Sequence, residues 1–161
     1  MKENLLVISG HYKREGDGVV IQLFGRGEDG RSYTVFYDGF RPYFHIVEPK
    51  EDVRGILSAD PEVLDLKERN LWYQGKERNC LVVTIRFPFD VPKYRRKFQE
   101  KGYTILAADI PFIYRFFYDL DLGSYLEIEG EEIESGEFTT DVVMKASSLK
   151  RIEPFNVRLK V

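Results

Sequence analysis

Short apolar segments, many of them with a period of two, dominate the pattern of hydrophobic and polar positions along the chain. A period of two places alternate side chains on opposite faces of a strand, and turn sequences such as REGDG and GEDG separate several of these segments. The segment 62–74 is ambiguous in pattern, and we interpret it as mostly strand. Strands are therefore predicted in NLLVISGHYK, GVVIQLFGRG, RSYTVFY, RPYFHIVEP, RNCLVVTIRFP, YTILAAD, SYLEIEGEEIE, DVVMKA and VRLKV.

Helical periodicity occurs in KEDVRGILSA, in FDVPKYRRKFQEKG and in DIPFIYRFFYD. In the second segment, Asp90 is a candidate N-cap, Pro92 falls in the first turn, and Gly102 follows the last periodic residue. Asp109 precedes Pro111 in the same way in the third segment. The second helix is predicted to bury Val91, Tyr94 and Phe98 and to expose Lys93, Arg96 and Lys97.

The order of these elements predicts the fold class. From 42 to 109 the order is β-α-β-β-α-β, which is the split βαβ pattern of a four-stranded antiparallel sheet with two helices on one face. We therefore predict an α+β fold in a single domain, 1–161. A β-rich N-terminal layer (1–41) precedes the sheet, and a helix (110–120) and a β-rich tail (121–161) follow it.

Charge and composition narrow the function. The 161-residue chain has a net charge of −3, which argues against binding nucleic acid through a broadly basic surface. The charge is uneven, since Arg86 to Lys101 holds six bases and two acids, and Asp121 to Glu137 holds seven acids and no base. Cys80 is the single cysteine, and we predict that it is a small buried residue of a strand. No apolar run has the length of a membrane span. We expect a cytoplasmic protein without membrane contact.

Catalytic motifs are absent from the sequence. His11 and His45 fall on predicted strands without other ligands at metal-binding spacing, and no phosphate-binding G-x-x-x-x-G-K occurs. The glutamates from Glu127 to Glu134 could serve a small metal-dependent hydrolase, but Glu127 and Glu129 have the spacing of the solvent side of a hairpin. We therefore expect no catalytic residue, no metal and no cofactor.

Proline next to an aromatic or branched residue occurs three times, in FRPYF (40–44), FPFDVP (87–92) and DIPF (109–112). Each proline alone is explained by a position at the junction of two secondary-structure elements, where proline fixes φ and removes a backbone donor. Together they predict rigid apolar corners with backbone N–H and C=O groups beside them. Such corners suit a shallow pocket for a flat ring, and a nucleobase needs this combination of a stacking surface and hydrogen bonds to its edge.

These three motifs resemble the N-terminal domain of archaeal family B DNA polymerases. The corresponding family patterns are F-R-P-Y, H-P-Q-D-V-P-x-x-R and D-I-P-F-x-x-R-Y-L-x-D, in the same order and at similar spacing, and VIQLF (20–24) also resembles the second strand of that family. The resemblance covers nearly the whole chain. It implies a domain that binds single-stranded template DNA and captures uracil, the product of cytosine deamination, so that replication stalls.

The resemblance also implies roles for individual residues. Backbone groups at Tyr43 and Ile110 would bind the uracil edge, Val91 would exclude the C5 methyl group of thymine, and Arg115 would brace the pocket. Lys93, Arg96 and Lys97 are candidate phosphate contacts. The predicted pocket consists of Tyr12, Pro42, Tyr43, Pro88, Val91, Pro92, Ile110, Pro111, Phe112 and Arg115.

Two departures from the family limit what the resemblance implies. Phe89 replaces the glutamine between proline and aspartate, and the D-I-E and D-T-D motifs of the exonuclease and polymerase sites do not occur. We expect this chain alone to be non-catalytic, as an excised domain or the product of a split or truncated gene. Its expected partners are template DNA and the exonuclease, palm, fingers and thumb domains. The alternatives are a structural docking module with a degenerate pocket and a general single-strand-binding module.

Overall fold

The computed structural model describes residues 1–134 and 136–157, and the chain forms two compact units. One unit comprises Met1–Phe40 and Ile113–Val161, and the other comprises Arg41–Phe112. In chain order the elements are β1 (Lys2–Glu15), β2 (Gly18–Gly27), β3 (Ser32–Tyr37), β4 (Tyr43–Val47), α1 (Glu51–Ser58), β5 (Val63–Tyr73), β6 (Lys76–Ile85), α2 (Val91–Glu100), β7 (Ile105–Leu106), α3 (Phe112–Asp119), β8 (Tyr125–Glu132) and β9 (Val142–Arg151).

The first unit is a closed five-stranded barrel in the order β1-β2-β3-β9-β8. β1 pairs antiparallel with both β2 and β8, and β3 pairs parallel with β9. Alternate residues fill the barrel interior, which explains the period of two in the sequence. The fully buried side chains of this interior include Leu5, Ile21, Leu23, Tyr33, Val35, Leu126, Ile128 and Met144.

The second unit contains an antiparallel sheet in the order β5-β6-β4-β7 and the helices α1 and α2. One sheet face and the inner faces of both helices form a single apolar core, in which Tyr94 and Phe98 of α2 lie with Phe44 of β4. The predicted alternation in β6 is confirmed, because Leu81, Val83 and Ile85 are all buried in this core.

The predicted fold class is wrong. The chain is mostly β, and its N-terminal and C-terminal strands form one closed barrel instead of a layer and a tail flanking a split βαβ sheet. The reason is the long sequence separation of the pairings. Leu5 of β1 pairs with Leu126 of β8, and local periodicity contains no information about a partner so distant. The segment VRLKV, predicted as a strand, lies largely outside the described residues.

Within the described part of the chain, none of the helices has the length and apolar character needed to cross a membrane.

Candidate functional site

The three proline-aromatic motifs emerge at one end of the four-stranded sheet. β4 begins at Tyr43 and is antiparallel to β6 and to β7, so both neighbours end where β4 begins. The register confirms this, since Tyr43 pairs with Thr84 near the end of β6. The N–H of Ile85 also donates a 3.0 Å hydrogen bond to the carbonyl of Pro42. Segments more than 60 residues apart in sequence are therefore placed at one sheet end.

The second motif forms the start of α2. Pro88–Asp90 is a single 3-10 turn that continues directly into the helix, and the N–H of Val91 bonds to the carbonyl of Pro88. Asp90 lies at the N-cap position, but its side chain makes no capping hydrogen bond. Val91 is 8% exposed and belongs to the sheet core, whereas Pro92 is exposed. The helix start thus presents a buried valine beside a rigid exposed ring.

The third motif follows β7 as an irregular segment. Ala107 has a positive φ of 65°, a conformation that L residues seldom adopt and that turns the chain sharply after the strand. Ile110 is 49% exposed, Pro111 is exposed, and Phe112 is buried at the start of α3. The helix expected at 110–120 spans Phe112–Asp119, so Ile110 and Pro111 lie in extended or irregular backbone before it.

Two of the predicted pocket residues belong to the barrel unit. Tyr12 is on β1, pairs with Ile21 and is 40% exposed. Arg115 is buried on α3, and its Nε lies 3.6 Å from Oδ2 of Asp119, one helical turn further on. The eight other predicted residues lie in the sheet unit, at the end of the sheet where the motifs converge.

The outward face of α2 is basic. Lys93, Arg96 and Lys97 are exposed as predicted, and the opposite face is buried in the core. The Nζ of Lys93 lies 5.1 Å from the centroid of the Tyr94 ring, and that of Lys97 lies 5.8 Å from the Phe98 ring. The side chains of Lys93 and Lys97 are nevertheless exposed, so their charged ends remain accessible to solvent.

Phe89 stands where the family pattern has glutamine. Its ring is 54% exposed and stacks on the buried ring of Phe87, with centroids 5.0 Å apart and planes inclined by 9°. A glutamine would offer an amide at this position, whereas Phe89 offers a flat apolar surface. The substitution makes the rim beside Pro88 more suited to stacking than to hydrogen bonding.

A hydrogen bond anchors α2 to the loop before β5. The hydroxyl of Tyr94, which is 1% exposed, donates to Oδ2 of Asp60 over 2.6 Å. Burial and this hydrogen bond raise the pKa of Tyr94 well above its ordinary value, so the group stays protonated at neutral pH. The contact fixes the helix whose first turn carries Val91 and Pro92 and which directly follows the 3-10 turn at Pro88.

Among residues 1–134 and 136–157, no three His, Cys, Asp or Glu side chains are placed to hold a metal ion. Cys80 is fully buried in β6, as predicted, and burial raises the pKa of its thiol, which makes it a poor nucleophile. Glu127 and Glu129 lie on the outer side of β8, where they alternate with the buried residues Leu126, Ile128 and Gly130, which confirms the hairpin interpretation.

Known proteins similar to this chain are DNA polymerases. No family model matches the chain. It is 33% identical to DNA polymerase 2 of Aeropyrum pernix over 121 residues, which are 69% of this chain and 15% of that polymerase. It is 31% identical to a DNA polymerase of Archaeoglobus fulgidus over 155 residues, which are 91% of this chain and 19% of the relative.

A solved structure gives the same picture of the fold. The family B DNA polymerase of Pyrobaculum calidifontis superposes with a TM-score of 0.80 at 19% identity, over 96% of this chain and 21% of that one. The chain therefore spans between 15% and 21% of the length of these three proteins. Sequence similarity over most of the chain and a shared fold lead to one conclusion: this chain is a homologue of one segment of the archaeal family B DNA polymerases.

Proposed function

We propose that the chain is the N-terminal domain of a family B DNA polymerase, that it binds single-stranded template DNA, and that it captures uracil at the end of the four-stranded sheet. The main support is the convergence there of three motifs that are distant in sequence, at Pro42–Tyr43, Pro88–Pro92 and Ile110–Phe112. In the proposed role, capture stalls replication before the deaminated base is copied. The exonuclease, palm, fingers and thumb domains supply the catalysis and most of the DNA contacts, in cis or in trans.

The physical basis of discrimination differs for each competing base. Cytosine presents a different donor and acceptor pattern from uracil, so fixed backbone groups at Tyr43 and Ile110 would leave it with unpaired polar groups. Thymine differs from uracil only by the C5 methyl group and must be excluded sterically. Val91 suits this task, because it is held in the core and cannot move aside cheaply. A base in single-stranded template costs little unstacking energy to capture.

The direct test compares two oligonucleotides of identical sequence that contain one uracil or one thymine at the same position. Fluorescence anisotropy with the 161-residue chain should give tighter binding to the uracil strand, by roughly 10-fold or more for a methyl group excluded from a tight pocket. Equal affinity would remove the uracil claim and leave a general single-strand-binding module. No binding to either strand would favour the structural docking module.

Two substitutions at Val91 should act in opposite ways. Val91→Gln fills the proposed pocket and should reduce uracil binding to the level of the thymine strand. Val91→Ala removes the steric wall, so thymine binding should rise while uracil binding is largely kept. Val82→Gln, at a half-buried position on β6, is the matched control for a polar substitution and should keep the preference. Thermal unfolding of each variant separates a lost pocket from a lost fold.

A further inference from the structure

The barrel has a second candidate binding face, on its outer surface. The strand order β1-β2-β3-β9-β8 with a parallel β3–β9 pair is that of the OB barrel. OB barrels bind oligonucleotides or oligosaccharides on the face of their second and third strands, between the loop after strand one and the loop after strand four. A fold alone decides no function, so the side chains on this face must be considered.

The register identifies the residues on the outer face. Ile21 and Leu23 of β2 point into the barrel, so Gln22 and Phe24 point outward. His11 pairs with Gln22, and Gln22 pairs with Phe36. Phe36 in turn pairs with Lys145 of β9, which gives one row across four strands. The aromatic side chains of the outer face are Phe24 and Phe36, of which Phe36 is buried in a small cluster with Val20 and Val143. Its basic side chains are His11, Lys13 and Lys145, and Lys145 forms an ion pair with Asp38 over 3.4 Å.

Phe138, from the loop between β8 and β9, lies on this face. Its ring centroid is 5.3 Å from that of Phe36 and 6.2 Å from that of Phe24. The loop is held there by a 2.8 Å hydrogen bond between the hydroxyls of Thr140 and Thr34. Phe138 and Phe24 are only partly buried, so part of each ring faces solvent beside the strands.

A cation accompanies the aromatic surface. The Nζ of Lys13 lies 5.3 Å from the Phe36 centroid and 5.8 Å from the Phe138 centroid, and the Lys13 side chain is exposed. His11, also exposed, meets the edge of Phe24 with ring centroids 6.0 Å apart. Aromatic rings on which bases can stack, beside an exposed cation, are the combination that single-stranded nucleic-acid sites use for bases and phosphates.

We propose that this outer face of the barrel is a second, sequence-tolerant binding site for single-stranded nucleic acid, separate from the proposed uracil pocket. A base stacks on the exposed part of the Phe24 or Phe138 ring, and Lys13 with His11 contacts the adjoining phosphates. Glu137, next to Phe138 and exposed, makes the loop edge of the face acidic, so the phosphates lie on the β1 side. This acidic edge keeps the affinity modest.

The test uses the full 161-residue chain and a fluorescein-labelled oligothymidylate, which contains no uracil and so does not engage the proposed pocket. Lys13→Glu should weaken binding about tenfold or more and reduce the dependence of log K on log salt by about 0.7, the value of one single-strand phosphate contact. Lys2→Glu, at the other end of the same strand and exposed, makes the same charge change and should have a much smaller effect. Glu137→Gln should strengthen binding.

A positional readout distinguishes this site from general electrostatic attraction. An oligothymidylate carrying 4-thiothymidine should photocrosslink to peptides that contain Phe24 or Phe138, in the wild type and in Val91→Gln alike. Equal losses for Lys13→Glu and Lys2→Glu, crosslinks confined to 41–112, or no binding of the oligothymidylate would each overturn the proposal. Failure of uracil preference would leave it untouched, because the probe lacks uracil.

Discussion

At the scale of single residues, the buried hydroxyl of Tyr94 makes a contact whose loss can be measured. Tyr94→Phe removes the 2.6 Å hydrogen bond to Asp60 and should reduce the free energy of unfolding by about 1–3 kcal/mol, since the acceptor is a carboxylate. Urea denaturation at pH 7 measures this loss. Tyr103→Phe is the control: its hydroxyl lies 3.5 Å from Oδ1 of Asp52 and is exposed, so less than about 0.5 kcal/mol should be lost.

The same hydroxyl should make the free energy of unfolding depend on pH in alkaline solution. Burial and the bond to Asp60 raise the pKa of Tyr94 in the folded state above the unfolded value near 10, so the unfolded chain loses this proton first. The stabilisation that the protonated Tyr94 hydroxyl gives the folded state is therefore complete below about pH 10, and it is lost as the pH rises above that value. Unfolding free energies from pH 8 to 11 should fall less steeply in Tyr94→Phe than in the wild type. An unchanged slope would contradict this role of Tyr94.

Residue-level predictions from the sequence succeeded where burial alone decides the outcome. The buried face of α2 followed from local periodicity, because the apolar side of an amphipathic helix packs against the core. The burial of Cys80 followed from the apolar character of a single cysteine in a strand. The side-chain capping role of Asp90 was not confirmed, because a 3-10 turn leads into the helix and α2 needs no separate start. The pocket roles, including that of Val91, stay predictions that the binding experiments test.

At the scale of elements, two glycines in the sheet unit should respond to alanine with opposite signs. Gly102 follows α2 with φ of 92°, and the N–H groups of Gly102 and Tyr103 bond to the carbonyls of Gln99 and Phe98, which is a Schellman motif. Gly102→Ala strains this conformation and should cost about 1 kcal/mol. Gly55, inside α1, has open space where a Cβ would lie, so Gly55→Ala should stabilise by about 0.5–1 kcal/mol.

Urea denaturation of both glycine variants gives the signs directly. A stabilising Gly102→Ala would mean that the end of α2 does not need a left-handed residue, and a destabilising Gly55→Ala would mean that α1 is not helical there. The end of α2 was predictable from sequence, since glycine after a periodic segment is a strong local signal. The start of α3 was not predictable, because the turn at Ala107 has a positive φ that no local sequence signal indicates.

At the scale of the whole molecule, the order of strands within the barrel could not be predicted from the sequence. β3 and β9 pair in parallel although more than 100 residues separate Tyr33 from Val142, and the sheet unit is inserted between them. Nothing in the apolar pattern distinguishes a closed barrel from separate hairpins, so the N-terminal strands were interpreted as a flanking layer. For the same reason, the outer face with Phe24, Phe36 and Phe138 had no signal in the sequence, because three distant segments build it.

Barrel closure should depend on close backbone approach at Gly130. This residue lies on β8 at a register irregularity against β9, and a Cβ there would collide with the carbonyl oxygen of Lys145 and the Cα of Ala146. Because that obstacle is backbone, Gly130→Ala must separate β8 from β9 and should cost more than about 2 kcal/mol. Gly123→Ala is the matched control, since its Cβ would meet only the Arg151 side chain at 3.6 Å, an ordinary contact. Hydrogen exchange should show faster exchange in β8 and β9 for Gly130→Ala alone, and equal protection in both variants would mean that closure tolerates a side chain at this position.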